Sequence, residues 1–340
     1  MTGLQENIDL KRLNTFGVSA KARYFIQISS TSDLTAIRDH SIFGSVPVYL
    51  LGGGSNVLFT RDLDGLVLHC CIPGIRTEKL SNTEALVTVG AGESWHGLVT
   101  HCVRSGLGGL ENLALIPGQC GAAPIQNIGA YGSELESVLE YVEGMDLRTG
   151  AQLRINRQEC RFGYRDSIFK HDFEKKFFIS SITLRLTVEN HRINDAYDAL
   201  AKELHERNIK QATIRDVYEA VVSIRRSKLP DPAVTGNAGS FFKNPIVTAA
   251  HASALRASHP GIPVYNIDNQ FVKIPAGWLI ERAGWKGKRQ GRVGVHDRQA
   301  LVIVNIDGAS GMEIFDFSQL LIDDVRIKFG IALEREVNII

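Results

Sequence analysis

The stretch from Gly109 to Glu134, GLENLALIPGQCGAAPIQNIGAYGSE, constrains the fold more than any other part of the chain. With five glycines, two prolines and almost no charge, it predicts neither a helix nor a simple surface loop. Glycine permits positive φ and close approach by a backbone or a ligand, while each proline fixes φ and removes a donor. The composition therefore predicts a segment wrapped around a ligand. Backbone amides left open by tight turns form concave anion sites, and a diphosphate can use them. A long buried Ω-loop is the other reading of the same residues.

A second stretch points the same way. Val48-Tyr49-Leu50-Leu51 predicts a short buried strand that runs straight into Gly52-Gly53-Gly54-Ser55-Asn56, ahead of the apolar Val57-Leu58-Phe59. Strand ends of this kind bring phosphate oxygens to backbone amides, and a tight hairpin is the competing reading. The chain contains neither G-x-G-x-x-G nor G-x-x-x-x-G-K-[ST], so a nucleotide here would be held in another way.

Five motifs then carry a resemblance: LGGGSNVL at 51–58, GLENLALIPG at 109–118, PIQNIGAYG at 124–132, CRFGYRDS at 160–167 and NAGSFFKNP at 237–245. With NTFG at 14–17 and LERE at 333–336, the chain resembles the UDP-N-acetylenolpyruvoylglucosamine reductases, FAD enzymes that complete UDP-N-acetylmuramate for bacterial peptidoglycan. The resemblance implies an α+β protein with a two-subdomain, vanillyl-alcohol-oxidase-like FAD-binding fold and a C-terminal α+β substrate domain. The implied boundaries are 1–73, 74–228 and 229–340, with strand 333–340 returning Glu336 to the active site.

The resemblance also implies roles. Non-covalent FAD would lie against Asn14, Thr15, Phe16, Gly17, Gly52, Gly53, Gly54, Ser55 and Asn56. The glycine-rich run would add Gly118, Gly121, Ala122, Ala123, Ile125, Gln126, Asn127, Gly129, Ala130, Tyr131 and Gly132. NADPH would be the co-substrate, with hydride passing from flavin N5 to C3 of UDP-N-acetylglucosamine enolpyruvate and a proton from Ser240 to C2. Arg165 would hold the carboxylate with its bidentate fork, and Glu336 would donate to the carboxyl group or orient Arg165. Tyr164, Lys228, Gly239 and Asn244 would bind substrate, and Tyr197 would be the loop tyrosine of the longer form of the family, closing over the diphosphate. Without the resemblance, Arg165 reads as a salt-bridge residue, Ser240 as a cap or turn serine, and Glu336 as a surface strand residue.

Ala122 and Ala123 depart from the serines many members carry near the FAD diphosphate, and the chain stops soon after Glu336. Two alternatives stand beside the reductase: another oxidase or dehydrogenase of the same fold, and a non-catalytic sugar-nucleotide binder. An oxidase would lack the combination of Arg165, Ser240 and Glu336 and would often tether its flavin through His or Cys; a binder would have lost at least one of the three.

Composition excludes other classes. A 340-residue chain, 44% hydrophobic and 22% charged with net charge +1, is that of a globular protein without a dedicated nucleic-acid surface. The first ten residues lack an apolar core, and no later stretch offers the roughly 20 apolar residues of a membrane helix. No nucleic-acid or membrane partner is expected, and a cytoplasmic monomer is. Five cysteines without C-x-x-C spacing suggest neither a disulfide framework nor zinc, and no metal is expected. His96 and His101, on a helix whose apolar face is Trp95, Leu98, Val99, Cys102 and Val103, read as surface or structural histidines. Residues 187–212 read as polar and charged, NAGSFFKNP as a turn, Thr213–Ser227 and Met312–Phe329 as amphipathic helices, and Leu333–Ile340 as a closing strand.

Overall fold

Buried and exposed side chains alternate along most of Lys21–Ile28, whereas Leu63–Cys70 is buried at every position but one. In the computed structural model, which describes residues 3–340, this difference places the two strands. Leu63–Cys70 is a central strand, covered on both faces and paired parallel with Lys21–Ile28 on one side and Val48–Leu51 on the other. Gln5–Asp9 completes that four-stranded sheet beyond Lys21–Ile28.

The chain divides into two compact units. The first comprises its described residues up to Ile8, with Ala22–Gly53 and Leu63–Ser227; the second comprises Asp9–Lys21, Gly54–Asp62 and Lys228–Ile340.

In the first unit, a five-stranded antiparallel sheet accompanies the parallel one. Its order is Gln152–Asn156, Leu139–Asp146, Phe177–Thr187, Glu84–Gly90 and Ile75–Lys79. Ile26, Leu66 and Leu68 from one sheet share a core with Val87, Val89, Val142 and Ile182 from the other. Helix Trp95–Arg104 starts where the Ser94 side chain accepts from the Gly97 amide, and it buries Trp95, Leu98, Val99 and Cys102. Helix Ile214–Lys228 buries Val217, Ala220, Val221 and Ile224, the stripe its 3.6-residue period predicts.

In the second unit, Gly236–Ser240, Val302–Asn305, Val293–Val295 and Arg289–Gln290 form one antiparallel sheet. Ile246–Thr248, Phe271–Lys273 and Tyr265–Asn266 form another. The long helix Gly311–Phe329 packs Ile314, Phe317, Leu321 and Val325 into this unit's core. Its start carries a capping box, in which Ser310 and Glu313 each accept from the other's amide.

Four expectations change. The polar stretch 187–212 contains a helix, Asp198–Glu206, whose burial rests on Leu200 and Leu204 alone. Cys120–Gln126, expected to be non-helical, winds into a tight 3-10 turn around Pro124. NAGSFFKNP begins as strand Gly236–Ser240, bulged between Asn237 and Ser240 where Gly239 takes φ +69°, and is not a simple turn. At the C-terminus only Asn338–Ile339 forms a strand, paired parallel with Val57–Leu58; Arg335 makes an isolated bridge to Phe242. No helix among the described residues is long and apolar enough to cross a membrane.

Candidate functional site

In the first unit the glycine-rich run is fastened by side-chain amides. Asn112 donates to the carbonyls of Tyr131 at 2.9 Å and Asn194 at 2.7 Å. Asn127 is fully buried in the left-handed region; its Oδ1 accepts from the Glu136 amide at 3.0 Å, and its Nδ2 donates to Glu134 at 2.9 Å. Gly129–Ala130 pairs with Ser133–Glu134 around a two-residue turn in which Tyr131 and Gly132 both have positive φ. That is the geometry of a type I′ hairpin, and it sets the direction of the Tyr131 ring. Gly121 donates to the Ala91 carbonyl at 2.9 Å, while Ala123 is buried and Ala122 exposed.

The turns at 52–53 and 118–121 lie backbone against backbone. A Cβ on Gly53 would stand 3.3 Å from the Gly118 Cα, and one on Gly52 would stand 3.1 Å from Gln119 Oε1. That Gln119 oxygen is buried and has no hydrogen-bond partner. A buried polar atom left in this way costs about 1 to 3 kcal/mol unless a ligand or water satisfies it. Flavin dinucleotides bring both hydroxyl donors and diphosphate acceptors, so they can satisfy the amide in either orientation. The residues here fit FAD.

Arg165 sits in a tight turn closed by reciprocal backbone bonds, Gly163 to Asp166 at 3.1 Å and Asp166 to Gly163 at 3.2 Å. Its own φ is +55°, which a residue with a Cβ adopts at a cost of about 1 to 2 kcal/mol. Strain of this kind persists only where the surroundings enforce it, and it clusters at functional sites. The surroundings are identifiable. Lys170 Nζ donates to the Arg165 carbonyl at 2.9 Å, and Ser167 Oγ donates to the Ile125 carbonyl at 2.6 Å. The Arg165 guanidinium lies 5.6 Å from the Tyr164 ring centre, and its Nη2 donates to the Gly129 carbonyl at 3.2 Å. Arg161, by contrast, is taken up by an ion pair with Asp172.

Tyr197 is half exposed at the N-terminus of Asp198–Glu206 and packs edge-on against Tyr131, with ring centres 5.4 Å apart. Tyr131 also lies within electrostatic reach of Arg225, whose guanidinium burial pulls below its ordinary basicity. Burial pushes the Tyr131 phenol up, and Arg225 pulls it partly back. Arg225 reads from sequence only as part of a short basic run. A better signal was available: it lies four residues beyond Val221, at the edge of the helix's apolar stripe.

The second unit gathers the remaining candidates. Thr15 donates its amide to the Gly54 carbonyl at 3.0 Å, and its own carbonyl accepts from Asn237 at 3.0 Å. The turn Asn14–Gly17 is thereby joined both to Gly54 and to the strand that carries Ser240. Buried Asn14 holds this turn through both ends of its amide, donating to Leu10 and Val18 carbonyls and accepting from the Val18 amide. Asn56 donates to the Glu336 carbonyl at 3.3 Å, and the Glu336 amide donates to the Phe241 carbonyl at 2.9 Å. Glu336 therefore stands beside the residue that follows Ser240. Gly239 is fixed by its amide N–H, which donates to Asn237 Oδ1 at 2.9 Å. Asn244 accepts from the Ala276 amide at 2.9 Å, at the start of helix Ala276–Arg282. Lys228 is exposed at the end of its helix. Among the described residues, no group of three His, Cys, Asp or Glu side chains could hold a metal ion.

Known proteins resemble the chain over nearly its whole length. Residues 22–156 match a family described as FAD binding domain, and residues 231–340 match the C-terminal domain of UDP-N-acetylenolpyruvoylglucosamine reductase. The chain is 46% identical over 337 residues to the UDP-N-acetylenolpyruvoylglucosamine reductase of Amoebophilus asiaticus, covering 99% of each chain. It is 45% identical over 331 residues to that of Chromobacterium violaceum, covering 97% of each. Among solved structures, the reductase of Thermus caldophilus aligns over 98% of this chain and 97% of its own with a TM-score of 0.67 at 24% identity. The 4-ethylphenol oxidase of Gulosibacter chungangensis aligns over 97% and 84% with a TM-score of 0.52 at 12% identity, which shows a shared fold. The expected α+β architecture, an FAD-binding fold followed by a reductase-type C-terminal domain, is therefore present, and the chain belongs to the UDP-N-acetylenolpyruvoylglucosamine reductase family.

Proposed function

We propose that the protein reduces the enolpyruvyl double bond of UDP-N-acetylglucosamine enolpyruvate to give UDP-N-acetylmuramate, a cytoplasmic step in making peptidoglycan precursors. NADPH is the reductant. The observation that carries this reading is the strained Gly163–Asp166 turn, which ties Arg165 to the carbonyl of Gly129 within the flavin-binding run. The flavin-binding subdomains would be 1–73, which holds the parallel sheet, and 74–228, which holds the five-stranded antiparallel sheet, with 229–340 as the substrate domain.

FAD, when bound, would supply the two-electron hydride chemistry that links NADPH to C3 of the enolpyruvyl group. Gly52, Gly53, Gly118 and Gln119 would hold it, and the resemblance gives Asn14–Gly17 and Gly54–Asn56 the same role. Hydride arrival at C3 leaves negative charge at C2, beside a carboxylate that already carries one. Arg165 holds that carboxylate through its planar fork, and each donor aimed at the developing charge contributes on the order of 3 to 4 kcal/mol. Ser240 gives its hydroxyl proton to C2 and recovers one from solvent. Glu336, one backbone bond away from Phe241, keeps the carboxyl end of the substrate paired or orients Arg165. Tyr164, Gly239 and Asn244 shape the substrate pocket, Lys228 meets the diphosphate, and Tyr197 closes over it.

Product analysis tests the proposal. Incubation with NADPH and the enolpyruvyl substrate should give a product heavier by two hydrogens, with one NADPH consumed per product. NADPH consumption matched by dioxygen uptake, with the enolpyruvyl compound unchanged, would indicate an oxidase of the same fold instead.

A further inference from the structure

Leu115 stands three residues before Gly118 with φ +56°, a left-handed conformation that a branched side chain holds only under constraint. Both of its backbone polar groups are taken by side chains. Its amide donates to His96 Nδ1 at 3.0 Å, and its carbonyl accepts from Arg225 Nε at 3.2 Å. His96 lies on helix Trp95–Arg104 and Arg225 on helix Ile214–Lys228. The two helices are joined to each other by the 2.9 Å bond between Thr100 and Tyr218 hydroxyls, and the His96 ring stacks on Tyr218 at 5.9 Å. At the other end of the same loop, Gly118 and Cys120 are held by backbone bonds alone, from the Trp95 amide at 3.0 Å and to the Glu93 carbonyl at 2.8 Å. The loop therefore has one permanent anchor and one that depends on two ionisable side chains.

We infer that His96 and Arg225 are positioning residues that clamp Leu115, pre-setting the Ile116–Gln119 turn for the flavin, and that protonation of His96 releases the clamp and weakens FAD binding. This rests on the FAD reading above. The chemistry follows from the donor direction. Nδ1 accepts a hydrogen bond only when bare, so the neutral ring carries its proton on Nε2. A second proton on Nδ1 would face the Leu115 N–H donor to donor, and the amide would lose its partner.

The groups facing the ring are the Tyr218 ring and the cations of Arg225 and Arg226. Burial, then Arg226 and Arg225, hold the imidazole below its ordinary value of 6.5. The sign follows: a base depressed in the folded state contributes fully above about pH 6.5, and the contribution is lost as pH falls through the lowered value. The clamp is thus closed at neutral pH and opens in mild acid.

Titration of apoprotein with FAD, followed by flavin fluorescence between about pH 5 and pH 8 where imidazole titrates, tests this. Wild-type affinity should fall about tenfold toward acid, the scale of one lost hydrogen bond. His96→Asn places an amide oxygen where Nδ1 accepts, so it should bind FAD with near wild-type affinity at neutral pH and lose the acid dependence. His96→Ala should bind weakly at every pH. Nitrogen-detected imidazole NMR of the apoprotein at neutral pH should show His96 as the Nε2–H tautomer. An Nδ1–H tautomer, or an unchanged pH dependence in His96→Asn, would overturn the clamp alone. Failure of wild-type apoprotein to bind FAD at any pH would overturn the flavin reading and the clamp together.

Discussion

Arg165 Nη2 donates to the carbonyl of Gly129 at 3.2 Å, so the guanidinium is registered against the glycine-rich segment instead of lying loose on the surface. Lysine in its place offers a point charge without the planar fork. We expect Arg165→Lys to retain FAD and to lose at least about 100-fold in substrate-dependent turnover, the cost of a misplaced anion-stabilising donor. Turnover at the wild-type level, measured by NADPH consumption, would remove Arg165 from the catalytic set.

A proton-donating Ser240 should separate the two halves of the proposed reaction. It follows the Gly239 bulge and precedes Phe241, whose carbonyl holds the Glu336 amide. Reduction of flavin by NADPH requires no protein acid, whereas the substrate half requires a proton at C2. Stopped-flow absorbance of Ser240→Ala should show nearly normal bleaching by NADPH and reoxidation by substrate slowed by about two to four orders of magnitude. Ser240→Cys should be milder. Equal slowing of both halves would make Ser240 a structural strand residue.

The flavin should leave on denaturation. Among the cysteines, Cys70, Cys102, Cys120 and Cys160 are buried, and burial pushes each of their thiols up, away from the thiolate a covalent tether requires. Acid precipitation should leave yellow colour in the supernatant as FAD, and colour retained in the pellet would contradict non-covalent binding.

Stability in acid should depend on the capping box of Gly311–Phe329. The Ser310 amide, then Arg292, hold the Glu313 carboxyl down at about 2. A depressed carboxyl contributes above its unfolded value and loses that contribution as pH falls toward about 2. Ser310→Ala should cost about 1 kcal/mol at neutral pH in denaturant unfolding, with a smaller loss at low pH. An unchanged unfolding midpoint would show that the cap is frayed in solution.

Much of this was legible in the sequence where periodicity and burial coincide. Trp95, Leu98, Val99 and Cys102 mark one helix by spacing alone, and the apolar run at 65–68 marks the middle of strand Leu63–Cys70. Helix Asp198–Glu206 escaped because two leucines four residues apart are too faint a stripe among nine mostly polar positions. The end of the chain was misread because apolar Leu333 and Val337 are buried by irregular backbone, which alternation cannot distinguish from a strand. In the site, motif residues could be named, yet the hold of Arg225 and His96 on Leu115 was hidden. Their partners are backbone atoms 110 and 19 residues away, and a carbonyl or an amide leaves no mark in a sequence.

The proposed reaction turns on a flavin that NADPH reduces and the enolpyruvyl substrate reoxidises. Anaerobic absorbance of the purified protein tests it most directly. A visible flavin band should bleach on adding NADPH and return on adding UDP-N-acetylglucosamine enolpyruvate. A band that bleaches, remains bleached with that substrate and returns only when dioxygen is admitted would contradict it.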